Sequence, residues 1–342
     1  MPEHPTVTWG RVTRSQATLV ILLLASVGCA RPRETSDVRD SRDARDTRVV
    51  DADRRAASVP VYTRAETASV FAPDIISTGD VFASSFTRDG RTVFFTKGTN
   101  DRSQLQIMRS TWRDDRWQTP ERAPFSTGSR QMDPHVAPDG KHVYFTAPRR
   151  RDALATDPDG DLDTWVARLD TTDTQAERVT SLANSSDNEI YPSVTLNRTL
   201  FFGVRTRAGG ATAPSEIRYL TPQIRTTPVV VPLGTEIANP SNPYITPDGR
   251  VLIVSATSKA GRGRADLFVV TRGGDGRWST PRNLGVEVNT ADVEFCPQLS
   301  PDSRYLFFSR VHFDGDRMTG NDIYVVPVSS VPVLRDALLQ RP

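Results

Sequence analysis

The chain has 342 residues, of which 37% are hydrophobic and 25% charged, with a formal net charge of +2. That length and apolar content suffice for a sizeable core. The balanced charge, without a basic patch, excludes the footprint of a nucleic-acid-binding protein. Cys29 and Cys296 are the only cysteines, so a disulfide framework is excluded as well.

Residues 1–28 read as a secretory signal. Arg11 and Arg14 form a basic start, and Ala17 to Gly28 is an apolar run of about twelve residues, too short for a membrane span of about 20. The run ends in Ser26-Val27-Gly28-Cys29, which resembles a bacterial lipoprotein cleavage box, with Ser26 in place of the usual Leu. The resemblance implies cleavage before Cys29 and acylation of its sulfur; simple cleavage without lipid is the alternative. Residues 29–58 read as a disordered tether. Asp37, Asp40, Asp43 and Asp46 alternate with Arg39, Arg42, Arg45 and Arg48, and no aromatic residue offsets the entropy of ordering. Such a segment reaches at most about 100 Å extended and roughly 30 Å as a coil.

Residues 59–330 repeat one pattern five times, in Ser85–Thr96, His135–Thr146, Ser193–Gly203, Tyr244–Ser255 and Gln298–Ser309. The turn residues Asp89, Asp139, Asn197, Asp248 and Asp302 fall 50, 58, 51 and 54 residues apart, a period that points to blades, solenoids or arrays. Each copy is a hairpin whose turn uses Pro, Asp and Gly for preset φ, local hydrogen bonding and positive φ. Arg198 and Ser303 replace the glycine in copies three and five, so looser turns are expected there.

The strands that follow the turns, such as Val93-Phe94-Phe95 and Leu306-Phe307-Phe308, are continuously apolar, hence covered on both faces. A third strand follows in each copy, from Leu105–Met108 to Ile323–Val326, and a polar fourth strand is expected at Arg116–Pro120 and Arg277–Pro281. The fold expected is all-β, a propeller of five four-stranded blades. The last copy lacks a fourth strand, and Ser69–Ile76 has no blade of its own, so it should close the ring, removing free edges. An open solenoid would need polar capping repeats. Residues 331–342 form a C-terminal tail.

Leu299–Arg304 (Leu-Ser-Pro-Asp-Ser-Arg), Asn321–Val325 (Asn-Asp-Ile-Tyr-Val) and Arg277–Gly285 resemble the TolB-type, WD-repeat-like propellers of bacterial envelopes. The resemblance covers roughly residues 60–329 and implies protein partners in the envelope. TolB has six blades; a degenerate sixth blade is the alternative to the five counted here.

The chain carries no nucleophile elbow, zincin motif, phosphate-binding loop or dinucleotide fingerprint, and no cofactor is expected from motifs. One pattern is calcium-like. Asp157, Asp159, Asp161 and Asp163 alternate, as oxygen ligands for a hard cation do. They also read as a solvated hairpin loop, and Asp163 has equivalents in Asp266 and Asp322, with Glu216 close in kind, which suggests a structural role repeated in several blades. A candidate binding ring precedes the turns. Asp133, Tyr191, Asn242 and Cys296 occupy one repeat position, Glu189 and Glu294 another, and His135, Tyr244 and Gln298 a third. They vary within a repeated frame, as a binding face requires, and are expected to rim one mouth of the central channel. Cys296 reads as a small buried residue.

Two functions follow. The first is a non-enzymatic binding module, a monomer tethered by lipid in the bacterial envelope, periplasmic or at the cell surface, holding a protein, peptide or glycan. The second is a glycan hydrolase using Asp133, Glu189 and Glu294, which needs two carboxyls about 5–10 Å apart. The regular repeats favour the first.

Overall fold

The computed structural model describes residues 60–340, apart from 100–103, 128–129, 150–160, 172–174, 181, 207–212 and 225. The expected signal, Cys29 and the tether lie outside the described residues. The chain forms five antiparallel sheets in a ring, a five-bladed β-propeller. β1 (Ser69–Val70) precedes blade one, which comprises β2 (Val81–Phe86), β3 (Thr92–Gly98), β4 (Leu105–Arg113), β5 (Arg116–Trp117) and β6 (Glu121–Arg122). Blade two is β7 (Met132–Val136), β8 (His142–Pro148), β9 (Leu162–Arg168) and β10 (Glu177–Arg178). Blade three is β11 (Asn188–Val194), β12 (Leu200–Arg205), β13 (Ser215–Leu220) and β14 (Val229–Val230). Blade four is β15 (Ala238–Ile245), β16 (Val251–Thr257), β17 (Asp266–Thr271) and β18 (Arg282–Asn283). Blade five holds β19 (Val293–Leu299), β20 (Tyr305–Asp314) and β21 (Arg317–Pro327).

The turn joining the first two strands has one shape in all five blades. Gly90, Gly140 and Gly249 adopt φ of 68°, 71° and 76°, and Arg198 and Ser303 take 63° and 58° at the same position. The looser turns expected in copies three and five are not found. The turn's acidic or amide side chain holds the shape without glycine: Thr199 N–H donates to Asn197 Oδ1 (3.2 Å) and Arg304 N–H to Asp302 Oδ1 (3.1 Å).

The second strands are apolar on both faces because each one fills two seams between blades. Val93 and Phe95 pack between blades five and one, while Phe94 packs between one and two. Leu200 and Phe202 face the seam to blade two, and Phe201 that to blade four. Leu306 and Phe308 join the cluster shared with blade four, and Tyr305 and Phe307 that shared with blade one. Side-chain alternation along a strand thus serves two cores.

The outer strands differ from the expectation. Trp117 and Trp278 do not lie in them. β5 folds back on the end of β4, pairing Trp117 with Trp112, and Trp278 makes an isolated bridge to Arg272. The outer strands are the residue pairs that follow, β6 against Met108 and Arg109, β18 against Phe268 and Val269. Pro120 and Pro281 separate the two segments, lacking the N–H a continuous ladder needs, and Trp117 turns into the seam of blades five and one.

The ring closes as expected. β1 pairs with β21, Ser69 opposite Val325 and Val70 opposite Tyr324, and supplies the last blade's missing strand. Asp322 accepts a hydrogen bond from Gly79 N–H (2.8 Å), and the Asn321 amide donates to Val81 O (2.8 Å). Tyr62 plugs the closing seam, with ring contacts to Phe71, Phe86, Trp117, Tyr305 and Phe307, and its hydroxyl donates to Gly90 O (3.0 Å). At the other end, residues read only as a tail include a helix, α1 (Pro332–Leu339), whose Leu334 and Ala337 are buried in the seam cluster of blades four and five. Among the described residues no helix is long and apolar enough to cross a membrane.

Replacing Tyr62 by Ala removes a buried aromatic from the closing seam and should lower the unfolding free energy by about 3 kcal/mol. Urea denaturation measures it; a loss under about 1 kcal/mol would mean that β1 alone closes the ring.

Candidate binding site on the propeller axis

The first strand of every blade carries a bulge at the same place. Register shifts separate Phe82 from Ser85, Met132 from His135, Ile190 from Ser193, Ser241 from Tyr244 and Phe295 from Gln298. The bulged residues Ala83, Asp133, Tyr191, Asn242 and Cys296 have φ between 50° and 57°, a left-handed conformation that costs roughly 1–2 kcal/mol for residues other than glycine. Proline follows in four of the five and Ser84 in the first; a bulge is where a strand tolerates a missing N–H.

The strain is offset by hydrogen bonds between blades. The N–H groups of Ala83, Asp133 and Tyr191 donate to Ser309 Oγ (3.1 Å), Thr96 Oγ1 (3.0 Å) and Thr146 Oγ1 (3.2 Å), each on the second strand of the preceding blade. At the seam of blades four and five, Ser255 Oγ donates to Glu294 O (2.7 Å). The seam of blades three and four has Gly203 at this position, opposite Ile190 in the register, and no hydroxyl.

A second ring lies deeper. Val136 N–H donates to Ser85 Oγ (2.9 Å), Val194 N–H to His135 Nε2 (3.0 Å) and Ile245 N–H to Ser193 Oγ (3.0 Å). Tyr244 is hydrogen-bonded to the Leu299 backbone in the same relation, and Gln298 bonds to His135. The expected mouth residues are therefore not a rim. Asp133, His135, Asn242 and Tyr244 are buried, with Tyr191 and Gln298 half-buried, along the axis itself. The bulge turns them inward, and the blade-to-blade bonds occupy His135 and Tyr244. His135 is held neutral, its pKa lowered to about 4 chiefly by burial.

Two cavities share the axis. A narrow one of about 30 Å³ is lined by the bulges, including Asp133, Tyr191, Asn242 and Cys296. A wider recess of about 290 Å³ opens on the hairpin-turn side. His135, Tyr244 and Gln298 line its deep end, Val136, Val194, Ile245 and Leu299 its wall, and Arg88, Pro138, Leu196, Pro247 from successive turns its rim. This recess was missed in the sequence, because its rim residues come from turns that are far apart along the chain.

Glu189 and Glu294 line neither cavity. Both sit in matching loop clamps. Ser185 Oγ donates to Glu189, and Thr290 Oγ1 to Glu294 (2.6 Å), each from four residues upstream. Burial is the first cause that raises both pKa values, that of Glu189 to about 7. Glu294 also pairs with Arg310 (2.8 Å). The two carboxylates therefore do not converge with Asp133 on the axis.

The calcium-like loop is described only in part, since Asp157 and Asp159 lie outside the described residues. Asp161 pairs with Arg149 (3.0 Å), and the fully buried Asp163 with Arg149 (3.1 Å) and Arg178 (2.9 Å). Two guanidinium groups occupy the carboxylate a cation would need. Its equivalents serve their blades: Asp266 accepts from Arg262 N–H (2.6 Å) and Gly263 N–H (3.0 Å). Among the described residues no group of three or more His, Cys, Asp or Glu is placed to hold a metal ion.

No protein-family model matches the chain, and no curated protein sequence matches it. Solved structures resemble it in fold. A putative TolB from Agrobacterium tumefaciens is 12% identical, with a TM-score of 0.48, covering 74% of this chain and 78% of that one. A thermostable family-43 glycoside hydrolase is 10% identical at a TM-score of 0.48, covering 75% of this chain and 91% of its own. The catalytic domain of a family-62 α-L-arabinofuranosidase from Coprinopsis cinerea is 12% identical at 0.46, covering 76% and 96%. The likeness is distant and is one of fold.

Two outcomes are expected. A Cβ at Gly203 would stand 3.5 Å from Ile190 and 4.0 Å from Asn242 N, so Gly203→Ser supplies the missing hydroxyl and should stabilise the protein by about 1 kcal/mol. A rise of roughly 2 °C in the thermal midpoint would report it; a fall would reject the role given to these hydroxyls. His135 titrates near 6.5 when unfolded, and its lowered pKa gives stability that is fully present above that pH and lost as pH falls through 4. Relative to His135→Gln, the wild type should lose about 3 kcal/mol between pH 7.5 and 4. Equal pH slopes in urea titrations of the two proteins would contradict a buried, neutral His135.

Proposed function

We propose that the protein is a membrane-tethered binding module of the bacterial envelope, attached through acylated Cys29 and holding a partner at the recess on the turn side of the axis. One observation carries this reading. The carboxylates best suited to hydrolysis are engaged in loops, Glu294 with Thr290 and Arg310 and Glu189 with Ser185. Among the described residues, Asp133 is the one carboxylate lining the two axial cavities, whereas glycoside hydrolysis requires a pair. The recess offers a pre-formed concavity in which apolar side chains such as Val136, Val194, Ile245 and Leu299 are interspersed with polar groups from His135, Tyr244, Gln298 and Ser300.

The test is affinity capture from envelope extract with the intact protein. The wild type should retain a partner that Leu196→Glu reduces about tenfold, and Cys29→Ala should move the protein from the membrane to the soluble fraction. Equal recovery by wild type and Leu196→Glu would remove the recess from the function, and membrane retention of the Cys29 variant would remove the lipid tether.

A further inference from the structure

We propose that the axial recess is a socket for the C-terminal residue of a partner chain, taking an apolar side chain that bears a free carboxylate. The proposal rests on the binding-module reading and names the ligand class of the same site. The first argument is depth. The recess of about 290 Å³ ends at His135 and Gln298, beyond which the axis narrows to a cavity of about 30 Å³. A chain cannot thread through; it must present an end or a single side chain. The volume lies just below the ~300–1,000 Å³ of small-ligand pockets, room for a residue or two and not for a folded element.

The second argument is the rim. The same turn position in successive blades gives Arg88, Pro138, Leu196, Pro247 and Pro301. Four of these are apolar, and Leu196 is 65% exposed. Such a collar suits an apolar side chain.

The third argument is charge. Arg88 is the one charged side chain lining the recess, and it makes no ion pair or hydrogen bond among the described residues. Its stem crosses the seam to lie on the blade-two turn, where Cδ would stand 2.9 Å from a Cβ at Gly140. The turn aspartates Asp89 and Asp302 form no ion pair with Arg88 and are hydrogen-bonded within their own turns. Asp89 Oδ1 accepts from Arg91 N–H (3.0 Å) and from the Thr87 hydroxyl (2.6 Å). Asp302 does the same with Arg304 N–H and Ser300. At the deep end His135 is an acceptor for Val194 N–H and carries no charge. Among the described side chains that line the recess, Arg88 is thus the one carrying charge, above a neutral well walled by Val136, Val194, Ile245 and Leu299. A guanidinium binds carboxylate in a two-pronged fork. An internal residue could enter the well, but its own main chain is uncharged there, whereas a C-terminal residue carries its carboxylate to the rim on the same residue that fills the well.

The test uses the full chain in detergent and fluorescence polarisation of N-terminally labelled hexapeptides ending in Leu or Phe, each as free acid and as amide. The free acids should bind about tenfold more tightly than the amides, the worth of one charge-assisted pair. Arg88→Gln should erase that difference and leave amide binding unchanged, and Leu196→Glu should weaken both. Thermal melts check that the exposed Arg88 and Leu196 variants stay folded. Equal binding of acid and amide, an acid preference that survives Arg88→Gln, or no binding of any peptide would each overturn the proposal. Should one of these occur while affinity capture still depends on Leu196, the binding-module reading stands with another ligand; capture of nothing by the wild type sinks that reading itself.

Discussion

A β-strand that is greasy on both sides has no place on the surface of a sheet, and this constraint organises the molecule. Each second strand sends alternate side chains into two different seams. A blade is therefore never complete by itself, because half of its strongest apolar surface belongs to a neighbour. Five such blades satisfy one another only when the circle is whole. Tyr62 and β1 complete it at one seam, and α1 covers another. Both chain ends of the described region thus serve blade five.

The axis shows how an irregularity can be made structural. Five left-handed bulges at one level would be costly separately. Each instead turns an N–H toward the preceding blade, where a threonine or serine receives it in three seams. One level deeper, Ser85, His135 and Ser193 accept the next blade's N–H, and Tyr244 bonds the next blade's backbone. These side chains share little except an atom with a lone pair at the right height. Variation at this level reflects the latitude of that requirement, and it resembled a binding ring for that reason.

Much of the architecture was legible because its signals are local and repeated. The five hairpin turns, the two-sided strands and the unattached segment near 69–76 could be read from period and polarity alone. The turns at Arg198 and Ser303 were misjudged because the side chain of Asn197 or Asp302, rather than glycine, sets their shape. The outer strands were misplaced by a few residues because the tryptophans that mark them pack inward. The site was less legible. Glu189 and Glu294 were correctly paired by the repeat, yet their clamps depend on Ser185, Thr290 and Arg310, whose proximity no spacing reveals. The recess is built from residues in different turns that meet only after closure.

Closure also has a kinetic consequence. β1 meets β21 across some 255 positions of sequence, so the decisive contact carries a large loop-closure entropy and raises the contact order of a fold already rich in non-local pairing. Blades one to four can stack progressively as they are made, but the apolar flank of the first stays open until the last arrives. During that interval the growing chain presents Phe86, Phe95 and Trp117 to its surroundings, a window in which self-association competes with maturation.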